Sequence, residues 1–556
     1  MAKTVEVLAK RIGLTTLVLA CAVATAEPSE LLPQWVASYD GPGSSPYTDD
    51  QGMHVAVDAD GSVYACGTGR GVGTSTDYTT IKYDKSGTRL WVAIYDGTGH
   101  GADRPTDMTM DADGNVYITG MSEGGDASYD YATVKYTSEG EELWAVRYDS
   151  GVDRAYAIAV DDSGNVYVTG SSGPMFESDY VTIKYDPKGN ERWIARYDGP
   201  RSGDDWAYGI AVSPTGAIFV VGTADGPFGN STDIITVAYH ADGSEDWAAS
   251  YNGPASDEDV SYGPVVLDES GALYVIGHSN SPGNGRDWIV LKYTSHGSEI
   301  WHATYAGPGG AWDMPHDLCL TAEPAVYVTG TESDTSSDKD YLTARLDTSG
   351  VFQWTRSYAG PGGGRDEAFR VSVDRDGWVW VTGLSVAENG AYDCATVGYS
   401  PDGVEESVSR YDGPATADDI AWDIATDPDG SVIITGVSEV TNDESDFITI
   451  KYAAVCAVPE TAPSGATLAP FVPNPIRTEG RSIFAAAVAG ERAVVRVYGL
   501  SGRLVKTLYE GAACLSCPVS WDATDQHGRQ VAAGVYFVRL DVDGSAQATQ
   551  KVVVIR

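Results

Sequence analysis

Asp153–Trp193 reads DRAYAIAVDDSGNVYVTGSSGPMFESDYVTIKYDPKGNERW. Ala157–Val160, Val166–Gly170 and Tyr180–Tyr185 are three short apolar runs, and a fourth, Arg192–Tyr197, begins at its end. Asp-Ser-Gly-Asn and Asp-Pro-Lys-Gly separate them. Short runs rich in Val, Ile, Tyr and Thr, bounded by Gly, Asp, Asn and Pro, are strands joined by turns.

Working outward, the unit recurs. The second-strand pattern returns at Val63–Gly67, Val116–Gly120, Val166–Gly170, Ile218–Gly222, Leu273–Gly277, Val326–Gly330, Val379–Gly383 and Val432–Gly436. The third strand ends at Tyr83, Tyr136, Tyr185, Tyr239, Tyr293, Leu346, Tyr399 and Tyr452. A fourth-strand Trp, four residues before a Tyr, stands at Trp35, Trp91, Trp144, Trp193, Trp247, Trp301 and Trp354, with Ser407 in that place in the eighth copy. Trp35 to Trp354 spans 319 residues in six steps, about 53 per repeat. Such a period with four strands per unit predicts a β-propeller, here with eight blades.

The physical reason is burial. Trp91, Ala93 and Tyr95 share one strand face, and Val92 and Ile94, also apolar, share the other. A sheet apolar on both faces needs neighbours on both sides, and a closed ring supplies them. The first recognisable strand, Gln34–Tyr39, is of the fourth-strand type, and the last repeat stops after its third. The N-terminal strand is therefore expected to complete the eighth blade beside Asp446–Tyr452 and join the ends of the ring.

The 79 acidic and 36 basic residues leave a formal net charge of −43. That excess argues against nucleic acid and anionic membrane, which need basic surface. Lys3, Lys10 and Arg11, an apolar stretch from Ile12 to Val23 and Ala24-Thr25-Ala26 read as an export signal over residues 1–26. No later stretch resembles a transmembrane helix, so a secreted or outer-surface location is expected. Of the six later cysteines, Cys66, Cys319 and Cys394 fall in strands as small buried residues; Cys514 and Cys517 read as a local loop disulfide.

The unit resembles the bacterial beta-propeller repeat called SBBP, whose pattern D-x-x-G-N-V-Y-V-T-G followed by D-Y-x-T-x-K-Y is matched at Asp161–Gly170 and Asp179–Tyr185. The resemblance covers about Gln34–Tyr452, implies a secreted or surface protein, and supplies no catalytic residues. The family name implies seven blades, against eight copies here. The propeller is assigned to residues 27–452, and a linker rich in Ala, Pro and Thr to 453–469. Short strands in residues 470–556 predict a small β-sandwich. Pro473-Asn474-Pro475, Val497-Tyr498 with Gly502, Trp521-Asp522 and Gly534-Val535-Tyr536-Phe537 resemble the immunoglobulin-like domain of flagellar hook-capping proteins. They are also similar to C-terminal sorting domains of type IX secretion cargo. The resemblance implies export or display through secretion machinery.

Two carboxylate positions recur in register. Before the first strand stand Asp50, Asp103, Asp153, Asp205, Asp313, Asp366 and Asp419, with Val260 in register in the fifth repeat and Asp259 beside it. Before the third stand Asp77, Asp130, Asp179, Asp233, Asp287, Asp340, Asp393 and Asp446. An Asp repeated in every unit fixes turns by accepting loop N–H bonds. The functional alternative is a carboxylate-lined mouth binding Ca²⁺ through the first set. Asp58-Ala-Asp60-Gly61, Asp111-Ala-Asp113-Gly114 and Asp427-Pro-Asp429-Gly430 are hairpin turns before they are calcium loops.

Near the first Asp set the aromatics vary from repeat to repeat: Tyr156, Trp206, Tyr208, Tyr262, Trp312, Phe369 and Trp422, with His316. Repeat architecture does not dictate them, so they are the candidate ligand platform, or else the plug of a central channel. No histidine spacing suits a metal, and no catalytic triad, nucleophile elbow or phosphate loop occurs. The expected function is a non-enzymatic binding module presenting an acidic, loop-rich rim to a protein or glycan. The competing readings are an extracellular polysaccharide hydrolase or lyase and a structural envelope component.

Overall fold

The computed structural model describes Leu31 to Ala453 apart from residue 32 and short stretches (44–47, 72–74, 126, 175, 202, 226–231, 256, 282–284, 309–311, 322–324, 336–337 and 442–443), then 467–468, 480–485, 492–499, 503–512, 517–532, 534–542 and 545–554. The signal segment, most of the linker, Cys456 and Cys514 lie outside the described residues, and only the backbone of Cys517 is described. Among the described residues there is no helix, and so none long and apolar enough to cross a membrane.

Residues 33–452 form eight antiparallel sheets of the propeller kind. We number them in chain order. Sheets 1 to 7 are each a meander of strands in sequence order, and the third holds Val152–Val160, Val166–Gly173, Asp179–Tyr185 and Glu191–Tyr197. In the fifth the first strand is broken into Asp259–Val260 and Val265–Leu267. First strands of successive sheets pack on one another, and Asp419–Thr426 of the eighth packs on Gln51–Val57 of the first, so the sheets close a ring. Pro33–Tyr39 pairs antiparallel with Glu444–Tyr452, Val36 opposite Ile450, as the fourth strand of the eighth sheet.

Apolar faces meet between sheets. Tyr117 of the second sheet packs in one cluster with Val166, Val168, Val181 and Ile183 of the third, all buried. Burying such a side chain is worth about 1.5–3 kcal/mol, so these interfaces carry the stability. Polar clasps set their alignment. Every fourth-strand Trp donates its indole N–H to a carbonyl in the turn before the fourth strand of the next sheet. Trp91 reaches Ser138 O at 3.1 Å, Trp247 reaches Ser295 O at 3.0 Å and Trp301 reaches Thr348 O at 2.9 Å. A Gly with φ near +80° sits under each ring; a Cβ on Gly243 would lie 2.6 Å from Trp193.

Ser407 breaks this pattern for a topological reason. The eighth sheet takes its fourth strand from the N-terminus, so it has no third-to-fourth turn for a Trp to clasp. Leu31, 5% exposed, joins the cluster at that junction, and its carbonyl accepts the Ser409 hydroxyl at 2.8 Å.

The glycine ending each second strand answers to the first strand. There the pairing skips a residue, at Gly52/His54, Pro105/Asp107, Ala155/Ala157, Ala207/Gly209, Pro315/Asp317, Ala368/Arg370 and Ala421/Asp423. This is a β-bulge. It presses a first-strand carbonyl onto the glycine: a Cβ on Gly170 would lie 1.9 Å from Arg154 O, and one on Gly383 1.9 Å from Glu367 O.

Residues 467–554 contain a three-stranded sheet (Thr467–Leu468, Gly480–Ala485, Cys517–Trp521) and a four-stranded one ordered Leu504–Ala512, Arg492–Gly499, Gly534–Val542, Ser545–Val554. Both contribute to one core, in which Trp521 packs with Val495, Val538 and Leu540. Cys66, Cys319 and Cys394 carry no disulfide; Cys66 and Cys394 are buried and Cys319 half-buried.

Replacing Gly170 by Ala should destabilise the chain by about 3 kcal/mol or more, because the Arg154 carbonyl is backbone and cannot move aside. Gly125, with nothing within 4 Å of an added Cβ, should tolerate Ala within about 0.5 kcal/mol. Urea unfolding of the two variants checks this, and equal midpoints would sink the account of the bulge.

Candidate functional site

A bulged residue has no partner across the strand pair, so its side chain leaves the sheet. These residues are Met53, Thr106, Tyr156, Tyr208, His316, Phe369 and Trp422, and Tyr262 stands in the corresponding place in the interrupted fifth strand. All eight line a single cavity of about 680 Å³. Each sheet thus contributes one side chain, and aromatic rings come from the third, fourth, fifth, sixth, seventh and eighth.

The rings touch in two arcs. Tyr156 and Tyr208 have centroids 4.9 Å apart, and Tyr208 and Tyr262 5.0 Å. His316 lies 5.8 Å from Phe369, which stacks on Trp422 at 4.9 Å and 23°. Tyr262 is 50% exposed, so this platform is not sealed. His316 is held neutral by burial, and its Nδ1 donates to Ala368 O at 2.7 Å.

One residue further along the strands a second set faces the same cavity: His54, Asp107, Ala157, Gly209, Asp317, Arg370 and Asp423. Three of its members tie consecutive sheets. Asp107 accepts from Ile158 N–H of the third sheet at 2.8 Å, Asp317 from Val371 N–H of the seventh at 2.9 Å, and Asp423 from Val55 N–H of the first at 2.8 Å. Burial pushes Asp107 up to about 7 and Asp317 up to about 6, and raises Asp423, against the opposing pull of the Arg370 charge. Arg370 Nε stands 3.7 Å from Asp423. Burial, helped by Arg370, brings His54 down to about 3, so it is neutral.

The first-strand aspartates do a uniform job. Asp50, Asp103, Asp153, Asp205, Asp313, Asp366 and Asp419 each accept a backbone N–H from the loop after the preceding fourth strand, at 2.6–2.8 Å for the first six and 2.5 Å for Asp419. All seven are buried. In the fifth repeat Asp259, not the in-register Val260, takes the role, accepting from Gly253 N–H at 2.5 Å. In the hairpin turns, Asp58 takes the N–H groups of Asp60 and Ser62, and Asp111 and Asp427 repeat this. Carboxylates also gather between sheets: Asp77, Asp96 and Asp103, then Asp130, Asp149 and Asp153, then Asp179, Asp198 and Asp205, each with oxygens within 4.8 Å of one another. Arg147 pairs with Asp130 at 2.6 Å and Arg196 with Asp179 at 3.6 Å.

Of the predicted platform, Tyr156, Tyr208, Tyr262, His316, Phe369 and Trp422 come together, and Trp206 and Trp312 do not line the cavity. Trp206 donates to Ser178 Oγ at 3.1 Å, and Trp312, 56% exposed, carries Arg286 over its ring at 4.4 Å. Asp107, Arg370 and Asp423 were not among the predicted site residues. Their signal was a charged residue directly after a variable one at the same place in the repeat.

A model of the family described as SBBP, Beta-propeller repeat, matches residues 149–173. No curated protein matches the chain. Among solved structures the chain is similar to PorZ, described as an essential bacterial surface component of the type-IX secretion system of Porphyromonas gingivalis, at 15% identity and TM-score 0.29, covering 90% of this chain and 74% of that one. It is similar to a polysaccharide lyase, PL25 ulvan lyase, at 12% identity and TM-score 0.39, covering 66% and 96%. A fungal alcohol oxidase of the AA5 family, in complex with copper, aligns at 14% identity and TM-score 0.35, covering 81% and 99%. At such TM-scores the sheet topology itself, not the superposition, defines the fold.

Stability should depend on pH in a definite sense. In the folded chain burial raises Asp107 and Asp205 to about 7 and Asp259, Asp317 and Asp419 to about 6, against about 3.9 when unfolded. Between about pH 4 and 7 the folded state therefore binds more protons, and stability falls as pH rises. Asp186, Glu367, Asp522 and Asp525 are held near 2 by their partners; their contribution is present above about pH 4 and lost toward pH 2. The melting temperature should climb as pH drops from 8 to about 5 and then collapse below about 4. A melting temperature rising steadily from pH 5 to 8 would contradict the assignment.

Proposed function

We propose that the chain is an exported binding module displayed at the cell surface. In this reading residues 1–26 are the signal, 27–452 an eight-bladed propeller closed by the N-terminal strand, and 453–469 a linker. Residues 470–556 form an immunoglobulin-like domain engaging secretion or anchoring machinery. The eight sheets with their closing strand and the separate core of 467–554 support this division. The observation carrying the binding reading is the bulge ring: a repeated frame holds one variable side chain from every sheet around a cavity of about 680 Å³. A pocket of this size, lined by rings with a few polar groups, suits a small ligand or the end of a chain. The ligand is a glycan or protein segment entering this cavity, so the binding surface is the centre of the ring rather than the whole acidic rim.

One observation favours a second, enzymatic reading as an extracellular polysaccharide hydrolase or lyase. Asp107 and Asp317 sit in the cavity with carboxyls raised to about 7 and 6, the range of a general base. Their engagement with Ile158 and Val371 N–H groups supports a structural role instead.

The binding reading is checked with the full mature chain on glycan and peptide arrays. The wild type should bind at least one class. Tyr208→Ala or Trp422→Ala should weaken that binding about tenfold or more, as loss of a stacked aromatic contact does, with the melting temperature little changed. A wild type that binds nothing would leave the structural envelope reading, and shortening of a bound polymer would favour the enzyme.

The first-strand aspartates serve the loops and need no metal in this reading, since each already accepts a backbone N–H. Calcium in the three inter-sheet carboxylate clusters is the alternative. Melting curves in excess calcium and in excess chelator should coincide. A calcium-dependent rise of several degrees, lost in Asp96→Asn, would assign the clusters to metal.

A further inference from the structure

Arg104 and Arg154 stand on the adjacent first strands of sheets 2 and 3, each two residues before a bulged residue, Thr106 or Tyr156. Arg104 lines the cavity and is exposed; Arg154 lies against Tyr156 and close enough to Tyr208 for its charge to act on that hydroxyl. With 79 acidic residues to 36 basic ones, carboxylate partners are plentiful, and three fourth-strand arginines have one: Arg147 with Asp130, Arg196 with Asp179, Arg410 with Asp393. Among the described residues neither Arg104 nor Arg154 forms an ion pair. The cavity carboxylate of that sheet, Asp107, has its oxygens taken by the N–H groups of Met108 and Ile158.

Arg104 lines the cavity on the sheet next to the tyrosine arc, where the eight-membered ring carries Met53 and Thr106 in place of aromatics, and Arg154 lies beside Tyr156, the first ring of the arc. In the sheets that carry Tyr156 and Tyr208 the second set is small and uncharged, Ala157 and Gly209. The tyrosine centroids step by 4.9 and 5.0 Å, roughly the length of one sugar ring, with the rings inclined to one another by 42° and 73°, so that they offer edges as well as faces. A tyrosine face packs against the apolar C–H side of such a ring, and a planar guanidinium takes a carboxylate or sulfate through two parallel N–H bonds.

From this we infer that the cavity takes an anionic glycan, its sugar rings on Tyr156, Tyr208 and Tyr262 and its carboxylate or sulfate groups on Arg104 and Arg154. The inference rests on the reading of the cavity as a binding site and adds the chemical class of ligand. A chain of net charge −43 repels a polyanion as a whole, so binding of one requires a local site that overrides the overall field.

Titration calorimetry of the full mature chain in about 0.15 M salt, where overall charge is screened beyond about 8 Å, tests it with four probes: polygalacturonate, dextran sulfate, unmodified dextran and poly-glutamate. The polyuronate or the sulfated polymer should bind at least tenfold more tightly than dextran. The double variant Arg104→Gln, Arg154→Gln should lose that preference while keeping its melting temperature and any weak affinity for dextran. Arg104→Lys should restore part of the preference. Equal binding of dextran and the anionic polymers would overturn the inference and leave the cavity a neutral-glycan site. Poly-glutamate bound as tightly as the anionic glycans, or anionic binding unmoved in the double variant, would also overturn it. No binding of any polymer, with Tyr208→Ala equally silent, would remove the reading of the cavity as well.

Discussion

A backbone carbonyl of each first strand lies where the Cβ of the second-strand glycine would be, 1.9 Å away at Gly170, Gly222, Gly383 and Gly436. That contact makes the bulge possible, and the bulge makes the centre of the molecule. Without the extra residue every side chain of the first strand would alternate between the faces shared with neighbouring sheets. With it, one residue per sheet belongs to neither face and turns into the space the ring encloses. Its identity is free of packing constraints, so Met53, Thr106, Tyr156 and Trp422 can occupy equivalent places. Frame and cavity are thereby separable: glycine is demanded at one position so that another can vary.

The ring itself is held by two kinds of force with different jobs. Apolar faces between sheets supply most of the free energy, since a dozen buried aliphatic or aromatic side chains meet in a cluster such as the one around Tyr399. A hydrogen bond nets about 1 kcal/mol, so the indole clasps at the outer edge and the aspartate ties at the inner edge cannot compete in magnitude. They fix angle and register. Seven junctions carry an indole clasp, and the one without it is the place where the ring is joined, with Leu31 packed there instead.

The repeat made the fold legible. A pattern printed eight times outweighs any one ambiguous strand, and its phase predicts Gln34–Tyr39 beside Asp446–Tyr452, where the observed strands Pro33–Tyr39 and Glu444–Tyr452 pair. The first-strand aspartates were visible for the same reason, but their work was not. Whether an invariant Asp serves a loop or a ligand depends on which N–H faces it, and Asp259 shows the limit: it does the job one residue out of register. Six of the eight ligand candidates converge because variability inside a rigid repeat marks freedom from packing. Trp206 and Trp312 fail the same test because variability alone does not say where a side chain is directed: Trp206 opens its strand and Trp312 precedes Met314–Leu320. Asp107, Arg370 and Asp423 escaped because their direction is decided by a one-residue slip in pairing, and a bulge leaves no residue signature of its own on that strand.

The slip also explains why the cavity is lopsided although the ring is regular. Sheets 3 and 4 place Ala157 and Gly209 after the bulge, while sheets 6, 7 and 8 place Asp317, Arg370 and Asp423 there. Gly209 has a reason in packing, since a Cβ would come within 2.9 Å of Gly263 O where the fifth first strand is interrupted. The charged half has a different one: a carboxylate reaching the next sheet's N–H ties together strands that small residues would leave apart. An eightfold frame thus acquires small, uncharged residues in two tyrosine sheets and charged ones in sheets 2, 6, 7 and 8. A ligand entering such a cavity meets different chemistry on its two edges, so the break in symmetry, not the symmetry, is what would orient it.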